Sequence, residues 1–337
     1  MNLKQHIELM LPAIEKELQD QVARLNTGHT RHFHEMLTYH MGWTGEGAGR
    51  EATGKRIRPL IVLLATASLG VDWRLSLPAA AAVELVHNFS LVHDDVQDNS
   101  EKRRGRPTVW TKWGVPMAIN VGDAMFVISY QAVMDLSRTH PAESVVKTAS
   151  ILHEACLNLT RGQYLDMSYE ERNDLGLEDY WPMVGGKTSA LLSACTHIGA
   201  LLGNAGEEEQ EAYRQFGYHL GLAFQVQDDI LGIWGDEALT GKSTASDLVE
   251  GKNSLPVLYA LGRQGKFAAR WKQGPITPAE VKTVAALLEE EGGRAYAEEI
   301  SEKETQVALK YLGQVNTQGA AGESMLELAN MLLKRNQ

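Results

Sequence analysis

Apolar residues recur at helical spacing along most of the chain. Leu60, Leu63, Leu64 and Ala67 mark one stripe, and Val83, Val86, Ser90 and Leu91 mark another; residues three and four apart share a helix face. Alternating strand-like runs bounded by turn residues are scarce. Three stretches interrupt the helical pattern. Residues 42–54 hold five glycines, residues 233–256 are rich in Gly, Ser, Thr and Asp, and residues 99–116 are basic and contain proline. All three read as connections. Thr277-Pro278-Ala279-Glu280 has the form of a helix start, with Thr as cap, Pro in the first turn and Glu three residues on. Gly292-Gly293 breaks the helix that follows. No repeat of about 20–50 residues and no shift in composition marks a boundary. The pattern predicts an all-α protein forming a single domain over residues 1–337.

Composition narrows the class. Of 337 residues, 44 % are apolar and 22 % charged, the balance of a globular chain and not of a disordered or collagenous one. The net charge of −11 excludes a general nucleic-acid binder, which needs a basic surface. A small anion can still be held by a local basic cluster. Cys156 and Cys195 make no disulfide framework and fit a reducing compartment. The first twenty residues are amphipathic, with acids throughout, and lack the apolar block and cleavage site of a signal peptide. No segment reaches the roughly 18 apolar residues of a membrane span; the longest apolar run, near residues 60–69, suits a buried helix. The expectation is a cytoplasmic protein without a membrane span.

The chemistry concentrates in two acidic motifs. In Leu91-Val92-His93-Asp94-Asp95-Val96-Gln97-Asp98, Asp94 and Asp98 share a helix face, and Asp95 lies about 100° round from Asp94. Three carboxylates at the end of an apolar helix repel one another unless a cation sits among them, and an all-oxygen set suits Mg²⁺. A solvated acidic helix end is the plainer alternative. A second cluster, Phe224-Gln225-Val226-Gln227-Asp228-Asp229-Ile230-Leu231-Gly232, also ends an apolar helix. Two such helices could face each other across a bundle, a recurrent way to build a metal site. Basic residues gather beside the acids: Lys55, Arg56 and Arg58 after the first glycine-rich stretch, and Lys102, Arg103, Arg104 and Arg106 after the first acidic motif. Each group alone reads as surface. Together with the acids they suit a phosphate held by metal and guanidinium. Gly241-Lys242-Ser243 lacks the upstream glycine of a P-loop, and Glu84 with His87 makes only one of the two Glu-x-x-His pairs a di-iron bundle needs.

These residues carry a resemblance. Gly54-Lys55-Arg56-Ile57-Arg58-Pro59, the first acidic motif followed by Arg103-Arg104-Gly105-Arg106-Pro107-Thr108, Gly186-Lys187-Thr188, and Phe224-Gln225 leading into Asp228-Asp229 resemble the trans-isoprenyl diphosphate synthase (polyprenyl synthetase) family, from about Thr53 to Leu261 and in family order. The resemblance implies an isoprenoid-synthase helical bundle with a central catalytic cavity. It implies Mg²⁺-dependent condensation of isopentenyl diphosphate with dimethylallyl, geranyl or farnesyl diphosphate, with release of pyrophosphate. Asp94 and Asp98 would bind two Mg²⁺ with Asp95 in support, and Asp228 a third with Asp229 in support through water. Arg103, Lys187 and Lys242 would hold the allylic diphosphate, and Lys55, Arg58, His87 and Arg104 the isopentenyl diphosphate. Thr188 and Gln225 would point dipoles at the allylic cation, and Lys252 would close over the diphosphate. His87, Leu91, Asp94 and Asp98 fall on one helical stripe, as one substrate channel would require. Phe89 and Ser90, five and four residues before the first Asp, match the positions that set chain length, and an aromatic at the first resembles geranylgeranyl diphosphate synthases. A homodimer is typical of the family.

One departure stands out. The family's second motif usually carries a third Asp where this chain has Gly232. A partner of a metal or of its water would then be missing, which would alter Mg²⁺ affinity or mark a non-catalytic subunit of a heteromeric synthase. The intact first motif and the matching Lys and Arg positions favour activity. The remaining rivals are a farnesyl or longer-chain synthase, and a class I terpene cyclase, which would not need the isopentenyl site.

Overall fold

In the computed structural model, which describes residues 1–170, 172, 174–235, 246–315, 317 and 319–333, nearly all regular structure is helical. The chain forms α1 (Leu3–Val22), α2 (Arg31–His40), α3 (Arg50–Thr53), α4 (Ile57–Ser68), α5 (Leu77–Gln97), α6 (Val109–Trp113), α7 (Val115–Asp135), α8 (Ala142–Tyr169), α9 (Leu177–Val184), α10 (Ala190–Leu202) and α11 (Glu207–Trp234). Helices Ser246–Val249, Leu255–Arg263, Lys266–Trp271, Val281–Glu290, Gly293–Leu312 and Gly319–Leu333 follow. Among the described residues the only strands are Lys102–Arg103 and Arg106–Pro107, paired antiparallel. The helical periodicity is thus realised as an all-α fold.

The chain divides into two compact units. One comprises Met1–His153, Cys195–Gln210 and Asn316–Glu327; the other comprises Glu154–Ala194, Glu211–Val315 and Leu328–Gln337. In the first unit α5 packs chiefly along α7, and also against α4 and α1. Residues 59–66 of α4 are all buried, as expected of a helix apolar on every side. In α5, Glu84, Asn88, Val92 and Asp95 form a buried stripe. His87, Leu91 and Asp94 are half-buried and Asp98 is exposed, so they form the open stripe. The second unit has two apolar clusters, one around Ile233, Leu248, Phe267 and Leu288 and one around Tyr180, Val226, Leu255 and Ala297.

Residues 42–49 form the loop their glycines predict, whereas Arg50–Thr53, expected in the same loop, form the short helix α3. Gly42, Gly45, Gly47, Gly49 and Gly54 have φ of 82°, 84°, 69°, 140° and 77°, a region that only glycine enters without strain. The described part of the stretch 233–256 is more structured than its composition implies: α11 runs to Trp234, a helical turn covers Ser246–Val249, and the next helix starts at Leu255. The helix expected at Thr277 begins at Val281. Glu280 does reach back to the Thr277 amide and hydroxyl, at 3.3 Å and 2.6 Å, but Arg270 also grips its carboxylate at 3.0 Å, and residues 278–280 form a turn instead.

Two helical stretches, Trp73–Gln97 and Val115–Arg138, are long and apolar enough to cross a membrane by length and composition. Their apolar runs are interrupted, which is why no continuous span shows in the sequence. Trp73–Gln97 has 67 % of its apolar window buried inside the protein, as a core helix does.

Candidate active site

The helix geometry sorts the first acidic motif. Asp98 caps α5, and its amide still bonds to the Asp94 carbonyl at 2.8 Å, so the two keep their helical offset on the open stripe. Asp95 falls on the buried stripe and is 2 % exposed. Its Oδ1 accepts from Arg103 Nε at 2.7 Å. Burial pushes the Asp95 carboxyl up, and the Arg103 guanidinium opposes that shift. Asp95 therefore faces Arg103 and not the carboxylates beside it in sequence.

A two-residue hairpin brings Arg103 there. Lys102 pairs with Pro107 and Arg103 with Arg106, leaving Arg104 and Gly105 at the turn with φ of 50° and 73°. Two positive φ values in a row match the twist of the flanking strands. The turn carries Arg104 onto the glycine-rich loop, where its Nη1 donates to the Ala52 carbonyl at 2.8 Å. Arg106 is 8 % exposed and donates to the carbonyls of Tyr39, Thr44 and Glu46 at 2.9, 2.7 and 2.9 Å. It ties the loop down.

The other basic group is divided in the same way. Lys55 is exposed. Arg56 adopts a left-handed φ of 48°, and its 3 %-exposed side chain bonds to Glu15 at 2.7 Å and Glu84 at 2.9 Å. Arg58 Nη1 donates to His87 Nε2 at 3.3 Å. Burial and then Arg58 hold the His87 imidazole well below the usual range, so it stays neutral and can accept that bond. Of the seven basic residues read as candidates, Arg56 and Arg106 thus serve the fold.

Tyr39, His40, Asp95, Arg103 and Arg104 line a cleft in this unit. Burial pushes His40 down to about 3, with Arg103, Arg104 and Arg56 adding to the shift. The folded form then binds fewer protons than the unfolded one below pH ~6.5, and stability falls as the pH falls, by at most about 1.4 kcal/mol per unit for such a group. Thermal melts from pH 7 to pH 5 should therefore show a falling midpoint, with a shallower fall in His40→Gln. Equal slopes for the two proteins would contradict the assignment.

The second unit carries the remaining candidates. Gly185–Ser189 forms one turn of π-helix between α9 and α10, a local widening frequent at functional sites. It presents Lys187, which pairs with Asp166 of α8. Thr188 Oγ1 donates to Gln225 Oε1 at 2.7 Å, and Gln225 Nε2 donates to Asp229 Oδ1 at 3.0 Å. Asp229 Oδ2 also accepts from the Tyr180 hydroxyl at 2.8 Å and the Leu255 amide at 2.9 Å. Burial pushes Asp229 up to about 6, while Leu255, Gln225 and Tyr180 pull it down. Asp228 is only half-buried, on the same α11 face as Gln225. Lys252 Nζ lies 2.8 Å from Glu250 and 3.5 Å from Asp247. Lys242 lies outside the described residues.

Phe89 is half-buried, with its ring 5.0 Å from Phe126 of α7 and 5.7 Å from His93. Ser90 is 8 % exposed and donates to the His87 carbonyl at 2.8 Å. Sequence reasoning missed Asp166, Tyr180, Glu15 and His40, whose partners lie far away in the chain; only the acid preceding Leu248 and Lys252, Asp247, sits inside a stretch already singled out.

The polyprenyl synthetase family model matches residues 49–288, well over half of the chain. The chain belongs to the polyprenyl synthetase family. It is a member of a group of trans-prenyltransferases. A (2E,6E)-farnesyl diphosphate synthase of Mycobacterium bovis is 38 % identical over 90 % of this chain and 86 % of its own. A geranylgeranyl diphosphate synthase of Mycobacterium tuberculosis is 39 % identical over 82 % of this chain and 80 % of its own. Among solved structures, the geranylgeranyl pyrophosphate synthetase of Pyrococcus horikoshii superposes with a TM-score of 0.89 at 31 % identity, covering 98 % of each chain. The polyprenyl synthetase of Streptomyces coelicolor gives 0.88 at 34 % identity over 98 % of this chain and 100 % of that one. The polyprenyl synthetase fold is thus all-α in this chain, as the helical pattern predicts.

Proposed function

We propose that the protein condenses isopentenyl diphosphate with an allylic diphosphate, releases pyrophosphate, requires Mg²⁺, and stops mainly at the C20 product, geranylgeranyl diphosphate. The single observation that carries the reading is the division of the first motif: Asp94 and Asp98 stand on the open stripe, while Asp95 turns inward to hold Arg103. The donor set fits Mg²⁺. It is all oxygen, and water and diphosphate oxygens would complete the shell. Asp94, Asp98 and Asp228 would hold three ions. Bound there, the metal would act as a Lewis acid on the leaving diphosphate.

The chain's own residues would do the rest. Arg103, fixed by Asp95, and Lys187 would hold the allylic diphosphate. Lys242 and Lys252 would join them. Arg58, oriented by neutral His87, would hold isopentenyl diphosphate with Lys55 and Arg104. Thr188 and Gln225, already locked to each other, would present fixed dipoles to the allylic cation without reorganising. Asp229, its oxygens occupied by three donors, would keep the α11 end and Gln225 in place. The proton lost at the end would go to the departing pyrophosphate, since no side chain here is placed as an obvious base.

Phe89 supports the C20 limit: a ring braced on Phe126 is a firm floor. Phe89→Ala is expected to shift products to C25 and beyond. An unchanged product length, with the ~3–5 kcal/mol loss usual for emptying a core site, would make Phe89 ordinary packing. We further propose that the 337 residues act as one catalytic domain, in the cytoplasm and as a homodimer. The apolar exposure of Ile119, Val127 and Met134 on α7, at 44, 56 and 50 %, supports the dimer. Pyrophosphate release by the purified chain tests the reaction. It should require both substrates, stop with EDTA and return with Mg²⁺. Release without isopentenyl diphosphate would favour a cyclase, and no release from the chain alone would favour a regulatory subunit.

A further inference from the structure

The π-helical turn Gly185–Ser189 is met by the backbone of two helices. Gly162 of α8 is buried against it. A Cβ on Gly162 would strike the Lys187 amide nitrogen, and would lie 2.6 Å from the Gly186 carbonyl carbon and 2.8 Å from Lys187 Cα. The same contact shows from the turn: a Cβ on Gly186 would lie 2.6 Å from the Asn158 carbonyl oxygen and 2.9 Å from Gly162 Cα. Gly221 of α11 is also buried, and a Cβ there would lie 2.6 Å from Ser189 Cα. These are main-chain atoms, so no change of rotamer moves them aside. A glycine inside a helix destabilises it relative to alanine, and the close approach accounts for both helical glycines.

Each helix adds a polar contact one turn further on. Asp166, four residues after Gly162 on α8, pairs with Lys187. Gln225, four residues after Gly221 on α11, accepts from Thr188 Oγ1 at 2.7 Å and is itself held by donating to Asp229 at 3.0 Å. On a helix, residues four apart share a face, so each glycine and its polar partner grip the turn together. α8 meets the backbone of residues 186 and 187 and aims the side chain of Lys187. α11 meets the backbone of Ser189 and aims the side chain of Thr188.

We propose that Gly162 and Gly221 are positioning residues for the allylic substrate: Gly162 sets the reach of Lys187, and Gly221 sets the direction of the Thr188 and Gln225 dipoles. The inference rests on the reading of Lys187, Thr188 and Gln225 given above and adds what fixes them in place. A methyl group on either glycine must move the turn by on the order of 1 Å, and a displacement of that size can cost about a hundredfold in rate.

The test is steady-state kinetics of the full-length chain with each substrate varied in turn, beside a thermal melt. Gly162→Ala should raise KM for the allylic diphosphate about tenfold or more, because Lys187 loses its place beside Asp166. Gly221→Ala should lower kcat about 10–100-fold and leave the allylic KM within about threefold of the parent, because dipoles aimed at the developing cation act mainly in the transition state. Both should leave KM for isopentenyl diphosphate within about threefold. Gly199→Ala is the control for crowding alone. It belongs to the first unit, and a Cβ there would lie 2.6 Å from the Val62 carbonyl oxygen, so it should lower the melting temperature and keep the parent's kinetic constants. A glycine variant that does not fold is replaced by Ser189→Thr, which adds a methyl group to the α11 crossing at a fully buried residue and carries the expectation of Gly221→Ala. Parent-like kinetics in either folded glycine variant, or in Ser189→Thr standing in for one, would overturn the inference whatever the melt shows. So would an equal rise in KM for both substrates, which would mark a general loosening. Lys187→Ala and Gln225→Ala are measured in parallel. If they leave the allylic KM and kcat unmoved, the reading of those side chains falls and this inference with it; if they move and the glycine variants do not, the inference alone falls.

Discussion

Asp94→Ala is expected to lower turnover on the order of a thousandfold or more while leaving the melting temperature within a few degrees of the parent. Asp94 stands on the open stripe of α5, so its removal uncovers no core. Asp95→Ala should behave differently. It strips the partner from Arg103 and empties a site that is 2 % exposed, so a lower melting temperature should accompany the lost activity. Steady-state rates and melts on both variants check this. Near-normal turnover in Asp94→Ala would remove it from the metal-holding set.

The second large effect lies in the fold. Arg56 is 1 % exposed at its side chain, and it links Glu84, 4 % exposed, to Glu15, 25 % exposed. Asn88 Nδ2 adds a further bond to Glu84 at 3.0 Å. Removing the guanidinium would leave Glu84 charged and buried without its counter-ion. Breaking such a pair typically costs ~3–5 kcal/mol, so Arg56→Met should unfold at markedly lower urea concentration. Adding Glu84→Gln to Arg56→Met should recover part of the loss, since the stranded charge is then gone. A single variant within about 1 kcal/mol of the parent would show that the network is not holding α1, α4 and α5 together.

Arg56 also marks where the sequence stops being informative. A run such as Gly54-Lys55-Arg56-Ile57-Arg58 shows charges but not their directions. It takes the left-handed φ of Arg56 to turn that side chain inward while Lys55 stays exposed. The same holds for Arg106, which reads as one more phosphate binder and serves as a staple on the glycine-rich loop. Asp94 and Asp98 were legible because their relation is local: four residues apart on a helix whose period the apolar positions already establish. The 100° offset of Asp95 was legible too, but its meaning was not, since the partner Arg103 arrives through a hairpin turn. Lys187 with Asp166, Tyr180 with Asp229, and Arg56 with Glu15 are separated by 21, 49 and 41 positions. No periodicity connects such pairs. The Gly232 departure was visible as a missing carboxylate, but the packing of the Asp247 side chain against that position was not.

Radiolabelled isopentenyl diphosphate supplied with dimethylallyl, geranyl or farnesyl diphosphate and Mg²⁺, followed by chromatography of the dephosphorylated products, tests the central claim most directly. The account predicts label in trans-prenyl alcohols that end mainly at C20 and vanish with EDTA. Allylic diphosphate consumed with no label entering any longer prenyl chain would contradict it.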